Sequence, residues 1–362
     1  MGFLGLAGFG GGATGLAQAG GPAGPLDATG GTTTSAGIEP GNGYKYHIFT
    51  ANGNFVVNSG AGPVEYLIVG GGGDAGSKGQ HGGGGGGGGV RTNVSGDPRA
   101  GAAVEVSSGT YAVVVGPGGA GNTVPATSGA KGSDSSIAFP SPVVSQGGGT
   151  GGYTSISRNP PSIRSGGSGG GGRNSGTSEL TGGHGGYGAG PGSSNPSPVR
   201  QGYDGGDGME YSSPWNSGYN PTGYTGGGGG GAGGEGQDAS PGAGGSGDGG
   251  NGYPISVFAA PLIAPEIPGP SRPAWSAAVG PTGLYGGGGG GGGYYHAGPI
   301  SGAGGPGGGG GDSPRGSAAN PGVTYTGGGG SATIAGTTPG QDGHAINPGA
   351  GGAGLVVIRY AV

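Results

Sequence analysis

The sequence predicts an all-β protein: a small antiparallel β-sandwich formed by N- and C-terminal strands, with an inserted bundle of polyglycine-II helices and long loops, and essentially no α-helix. Three observations predict it. Eight consecutive glycines occur twice, at Gly82–Gly89 and Gly286–Gly293, with shorter runs at Gly70–Gly73, Gly226–Gly231, Gly307–Gly311 and Gly327–Gly330. Strand-like runs gather near the two ends of the chain. The composition, 115 Gly and 30 Pro in 362 residues with 8% charged residues and no cysteine, leaves little else from which to build a core.

Residues 1–40 read as an apolar, glycine-rich arm. The arm has no basic region before its apolar stretch, so it reads poorly as a signal peptide, and no run is long enough to span a membrane. Phe3, Leu4, Leu6, Phe9 and Leu16 are its candidate assembly residues, with a frayed terminus as the alternative. Residues 41–362 form the glycine-rich domain, divided into a β frame (41–120 and 352–362) and a polyglycine and loop region (121–351). In the frame, Tyr44–Thr50 and Asn54–Asn58 flank the turn signal Ala51-Asn52-Gly53, and Pro63–Gly70 reads as a buried strand. Ala102–Gly116 reads as a hairpin through Ser107-Ser108-Gly109, and Gly354–Val362 closes the chain. In the middle, Ile255–Ile263 reads as a strand that Pro261 limits.

The glycine runs are either linkers or the structure itself. Ordering one residue costs about 1–2 kcal/mol of backbone entropy, and one net hydrogen bond returns about 0.5–1.5 kcal/mol. An isolated extended glycine strand therefore loses, and a bundle need not. Polyproline-II geometry repeats every three residues and leaves its N–H and C=O groups pointing outward. Glycine chains in that geometry can approach closely and bond neighbours on several sides, with Cα–H···O contacts added. A run of eight would span roughly 25 Å. Tyr203, Tyr211, Trp215, Tyr219, Tyr224, Tyr253, Trp275, Tyr285, Tyr294 and Tyr295 fall where the glycine runs pause, placed to seal such a lattice.

No catalytic site is expected. Gly116-Pro117-Gly118-Gly119-Ala120-Gly121, and Gly71 with Gly73 and Gly76, match G-x-G-x-x-G, but no helical pattern follows either to hold a pyrophosphate. His47, His81, His184, His296 and His344 lack the paired spacing of a metal site and read as loop histidines. Gly244-Gly245-Ser246-Gly247-Asp248 begins like a calcium β-roll but is not repeated. Asp204 and Asp207 have no apolar pocket to shift a pKa. Neither metal nor cofactor is implied. The formal charge of −5 does not draw the chain to nucleic acid or anionic membrane.

Tyrosine and tryptophan offer contact area at low entropy cost, so aromatic loops are the candidates for recognition. The receptor-binding candidates are Tyr203, Tyr211, Trp215, Tyr219, Trp275, Tyr294 and Tyr295, with capping of the glycine layer as the alternative for each.

The combination of Gly43–Asn58, Val64–Gly73, a long glycine-rich middle and Gly354–Tyr360 resembles a glycine-rich domain of tailed-phage virion proteins, over roughly residues 43–360. The polyglycine layers are similar to tail-tip adhesins, in which such helices stack and their connecting loops contact the host receptor. The resemblance implies a non-enzymatic virion protein, a tail-fibre or appendage-tip adhesin. A capsid-decorating, collar or tail-assembly subunit without receptor binding is the alternative. Its implied partners are other virion proteins, further copies of itself (a trimer, as in fibres) and a host-surface ligand. The Met1–Gly21 arm would be the attachment to the particle.

Overall fold

The computed structural model describes residues 24–76, 82–121, 129–152, 161–173, 187–190, 193–212, 222–240, 245–294, 301–311, 318–333 and 347–362. The arm residues Phe3, Leu4, Leu6, Phe9 and Leu16 lie outside them. The strands are β1 (Asp27–Thr29), β2 (Tyr44–Phe49), β3 (Gly53–Val69), β4 (Val90–Thr92), β5 (Val104–Val114), β6 (Ser135–Ile137), β7 (Val143–Ser145), β8 (Ala189–Gly190), β9 (Asn195–Pro196), β10 (Met209–Ser212), β11 (Thr222–Thr225), β12 (Tyr253–Pro254), β13 (Leu284–Tyr285), β14 (Gly293–Tyr294) and β15 (Leu355–Ala361). The short helices are α1 (Pro161–Arg164), α2 (Ala260–Ile263) and α3 (Arg272–Val279).

The frame is a single eight-stranded sheet in the order β2-β15-β3-β5-β6-β7, with β1 and β4 also on β3. The closing strand β15 enters between the two N-terminal strands: Val357 pairs with Ile48 on one side and Leu67 on the other. Alternation along β15 feeds two cores. Val356, Ile358 and Tyr360 join Phe55, Val57, Tyr66, Tyr111, Val113 and Ile137. Leu355 and Val357 join Ile48, Leu67 and Val69 against Phe258, Ile263, Trp275 and Tyr285. At one end of β15, Arg359 sits nearly buried, its guanidinium bonded to Glu65 at 2.5 and 2.8 Å and to the Tyr46 hydroxyl at 3.1 Å.

Three local expectations are corrected. The segments at Asn54 and Pro63 are one strand, β3, with an irregularity between Val57 and Ala61. The expected hairpin at Ser107-Ser108-Gly109 is the interior of β5, which stays paired with β3 on both sides of that irregularity. The bulge absorbs the turn signal, and Gly60 takes its φ of +80°. Ile255–Ile263 is helical rather than extended: Pro261, Pro265 and Pro273 each stand in the first turn of a helical element, where the missing N–H costs nothing.

Beyond the sheet the strands run on as glycine columns. β3 continues into 70–76, and 82–89 leads into β4. Gly83, Gly86 and Gly89 donate to Gly152, Gly149 and Gln146; Gly84 and Gly87 to Gly227 and Gly230; Gly85 and Gly88 to Gly330 and Gly327. The carbonyls of the same column accept from Gly76, Gly73 and Gly70, from Gly171 and Ser168, and from Gly289. One column thus bonds six neighbouring segments, with each direction repeating every third residue. This is the polyglycine-II bonding pattern, and it explains why the runs must be glycine. A Cβ built on any of Gly83 to Gly88 would fall closer than 3.0 Å to a backbone oxygen of a neighbouring column.

Three columns form the centre. The 82–89 column donates to 226–232, which donates through Gly226, Gly229 and Ala232 to 286–293, which donates back through Gly289 and Gly292 to the first. At the flanks, where an N–H has no carbonyl to meet, carboxylates substitute. Asp134, Asp204, Asp238 and Asp248 accept from the N–H groups of Gly147, Gly188, Asp207 and Ala303 at 2.7–2.8 Å.

Candidate binding surface

The lattice has two unlike ends. The sheet end holds Gly70, Gly89, Val90, Ala232 and Gly286 beside the strands and helices. The far end holds Gly76, Gly82, Gly226 and Gly292. The connections 77–81, 213–221, 295–300 and 334–346 each leave and rejoin the described chain at the far end. The three-stranded sheet β10-β11-β14 stands there too, built on the ends of the central columns, because Gly226 follows β11 and Gly293 opens β14. Described chain starts at the opposite side: Gly24 and Pro25 lie against Gly60 at the β3 bulge.

The structure divides the aromatic candidates between these ends. Tyr211 lies in β10 and Tyr294 in β14, where Tyr294 is the register partner of Tyr224 and Tyr224 of Glu210. Trp215, Tyr219 and Tyr295 lie outside the described residues, within connections whose anchors are at the far end.

Trp275 is a correction. It is fully buried in α3, its indole N–H donating to the Tyr325 carbonyl at 3.0 Å, with Tyr285 beside it at 6.5 Å between ring centres. Its proline-flanked setting looked like a loop, and the prolines were helix starts. Tyr285 is equally buried, its hydroxyl donating to the Phe258 carbonyl at 2.6 Å, and burial pushes its pKa up. These rings close the sheet end of the lattice.

Tyr203 is half-buried at the sheet end in a stack that sequence reasoning missed. Arg200 lies 4.6 Å from its ring centre, Arg99 lies 5.4 Å from it, and Arg99 lies 3.8 Å from the Tyr253 ring. Arg99 also donates to the Ala232 carbonyl at 2.5 Å, and the Tyr253 hydroxyl to Asp97 at 2.9 Å. Burial, and then the bond and charge of Asp97, push the Tyr253 pKa up to about 12. With so many internal partners the stack is an anchor, fastening the loop after β4 to the column ends. Arg200 and Tyr203 are three residues apart, but Arg99, which joins both tyrosines, is far from each in sequence, so no local pattern could have announced the stack.

His47 is also corrected, from loop histidine to core. It lies buried in β2, stacked on Tyr360 at 5.7 Å and edge-on to Phe55 at 5.2 Å, with Nδ1 2.7 Å from the Gly30 carbonyl. Burial lowers its pKa. The other four histidines lie outside the described residues. Among the described residues no group of His, Cys, Asp and Glu is placed to hold a metal, and no helix is long and apolar enough to cross a membrane.

A family model described as a glycine-rich domain matches residues 49–261. The chain belongs to the glycine-rich domain family. The matched region of this glycine-rich domain runs from the end of β2 through α2's first residues, taking in β3 to β12 and two of the three central columns. The third column and the closing strand β15 lie beyond it, although β15 completes the sheet that the matched strands begin. No curated protein matches the chain.

Proposed function

We propose that this chain is a structural protein of a tailed-phage virion, a tail-fibre or appendage-tip adhesin that presents loops for host-surface recognition on a rigid polyglycine scaffold. The observation that supports it is the polarity of the lattice. Connections rich in aromatic and polar residues are anchored at one end, and the sheet that Gly24 and Pro25 lie against stands at the other. A lattice held by backbone bonds makes no demand on the side chains of those connections, so they can vary without cost to the scaffold. Anchors fixed on several sides reduce the ordering a ligand must impose, and that ordering is a main cost of association. Other virion proteins would meet the sheet end, and a host ligand the far end.

Particles lacking this protein should fail to adsorb to host cells. Particles carrying Tyr211→Ala and Tyr294→Ala should lose adsorption while keeping particle yield and the melting temperature of the purified protein. Normal adsorption by particles lacking the protein ends the adhesin reading; if those particles are also fragile, a capsid-decorating, collar or tail-assembly subunit takes its place.

A further inference from the structure

The column that continues β3 reads Gly70-Gly71-Gly72-Gly73-Asp74-Ala75-Gly76, so a carboxylate stands where the lattice otherwise uses glycine. Asp74 is fully buried. Its backbone keeps the lattice pattern: the N–H donates to the Ala130 carbonyl at 3.1 Å, and the carbonyl accepts from the Gly151 N–H at 2.9 Å. Of its two carboxylate oxygens, Oδ1 accepts from the Thr150 hydroxyl at 2.6 Å, and Oδ2 is buried with no partner among the described residues. A Cβ added at Gly119 or at Gly129 would fall closer than 3.0 Å to Asp74, so the columns of both pack directly on it.

Among the described residues the columns around it supply no counter-charge. Columns 82–89, 116–121, 147–152, 327–333 and 347–352 contain no ionisable side chain. The column 129–133 contains Lys131, which is exposed and sits near Asp134. Lys78 and His81 follow on the same chain, outside the described residues. A neutral carboxyl is tolerable in such a place, and an ionised one lacking a cation is costly.

We infer that Asp74 is a protonation switch set into the glycine lattice: as pH rises its ionisation loosens the columns packed on it, residues 129–133 and 147–152. Burial, opposed by the Thr150 and Ala130 hydrogen bonds, pushes its carboxyl up to about 7 from its ordinary value of 3.8. The sign follows from linkage. Between those two values the folded chain holds a proton that the unfolded chain has released. The folding equilibrium constant therefore falls about tenfold for each pH unit across that window and levels off above it.

The test compares the full-length wild type with Asp74→Asn and Asp74→Gly between pH 4.5 and 8 (about one unit beyond the window at its upper end). Denaturant midpoints of the wild type should fall relative to both variants as pH rises. Amide exchange in 129–133 and 147–152, corrected for the intrinsic pH dependence by the variants, should quicken in the wild type alone. Parallel pH profiles for wild type and variants overturn the proposal. If neither variant folds, a carbon-detected NMR titration of the wild-type Asp74 carboxyl decides it: a midpoint near 4, the unperturbed value, overturns it and one near 7 upholds it.

Discussion

Single side chains in this protein matter where the glycine stops. Trp275 fills the sheet-end core, so Trp275→Ala should lower stability by about 3–5 kcal/mol, read from denaturant unfolding, and leave ligand binding by the folded fraction unchanged. A binding loss without a stability loss would restore it to the recognition surface. Arg359 is held nearly out of water by Glu65, so Glu65→Gln strands a buried guanidinium and should cost about 3 kcal/mol. A cost under about 1 kcal/mol, the value of an exposed pair, would mean that water reaches Arg359. His47 acts with the opposite pH sense to Asp74. Its folded pKa is lowered, so the unfolded chain binds the proton first, and stability falls as pH drops through the unfolded value near 6.5. His47→Gln should remove that acid-side loss in thermal melts between pH 7.5 and 5.5, a window spanning about one unit either side of it.

At the scale of elements, the columns are intolerant and their flanks adjustable. Gly85→Ala places a Cβ closer than 3.0 Å to the carbonyl oxygens of Gly73 and Asp74. Backbone cannot rotate aside as a side chain can, so the columns must part, at a cost of about 3 kcal/mol or more. Gly62→Ala, with nothing within 4 Å of the added carbon, should be nearly neutral. Equal melting temperatures for the two variants would contradict the lattice. The flank carboxylates obey the same geometry: Asp204 and Asp207, and Glu235 and Asp238, are spaced by three, the polyglycine period. Outward positions recur at that spacing, and there a carboxylate can accept a stray N–H and repel another chain, as charged residues guard sheet edges. Replacing Glu235, Asp238 and Asp248 by glycine should bare a lattice face and produce concentration-dependent self-association in light scattering. A monomer at all concentrations would deny the flank that role.

For the whole molecule, the sequence carried the materials more clearly than their arrangement. Glycine runs of eight narrowed the choice to linkers or close-packed backbone, and the framing strands were legible from the alternation at Tyr44–Thr50 and the apolar run within Gly354–Val362. The helical segment at 256–279 was not legible, since its prolines read as breakers until their position in the first turns was known. Nor was the division of the aromatics: Trp275 and Trp215 look alike in sequence, each flanked by proline and serine. By itself the sequence determined that the middle of the chain could pack only through bare backbone, because 115 glycines leave it few side chains to bury and no cysteine staples it. Only the tertiary structure decided which columns meet, which end carries the connections, and where one carboxylate would be buried inside the lattice. A polyglycine column offers the same N–H and C=O groups to any neighbour, so its partners are chosen by the strands and connections that set where each column starts.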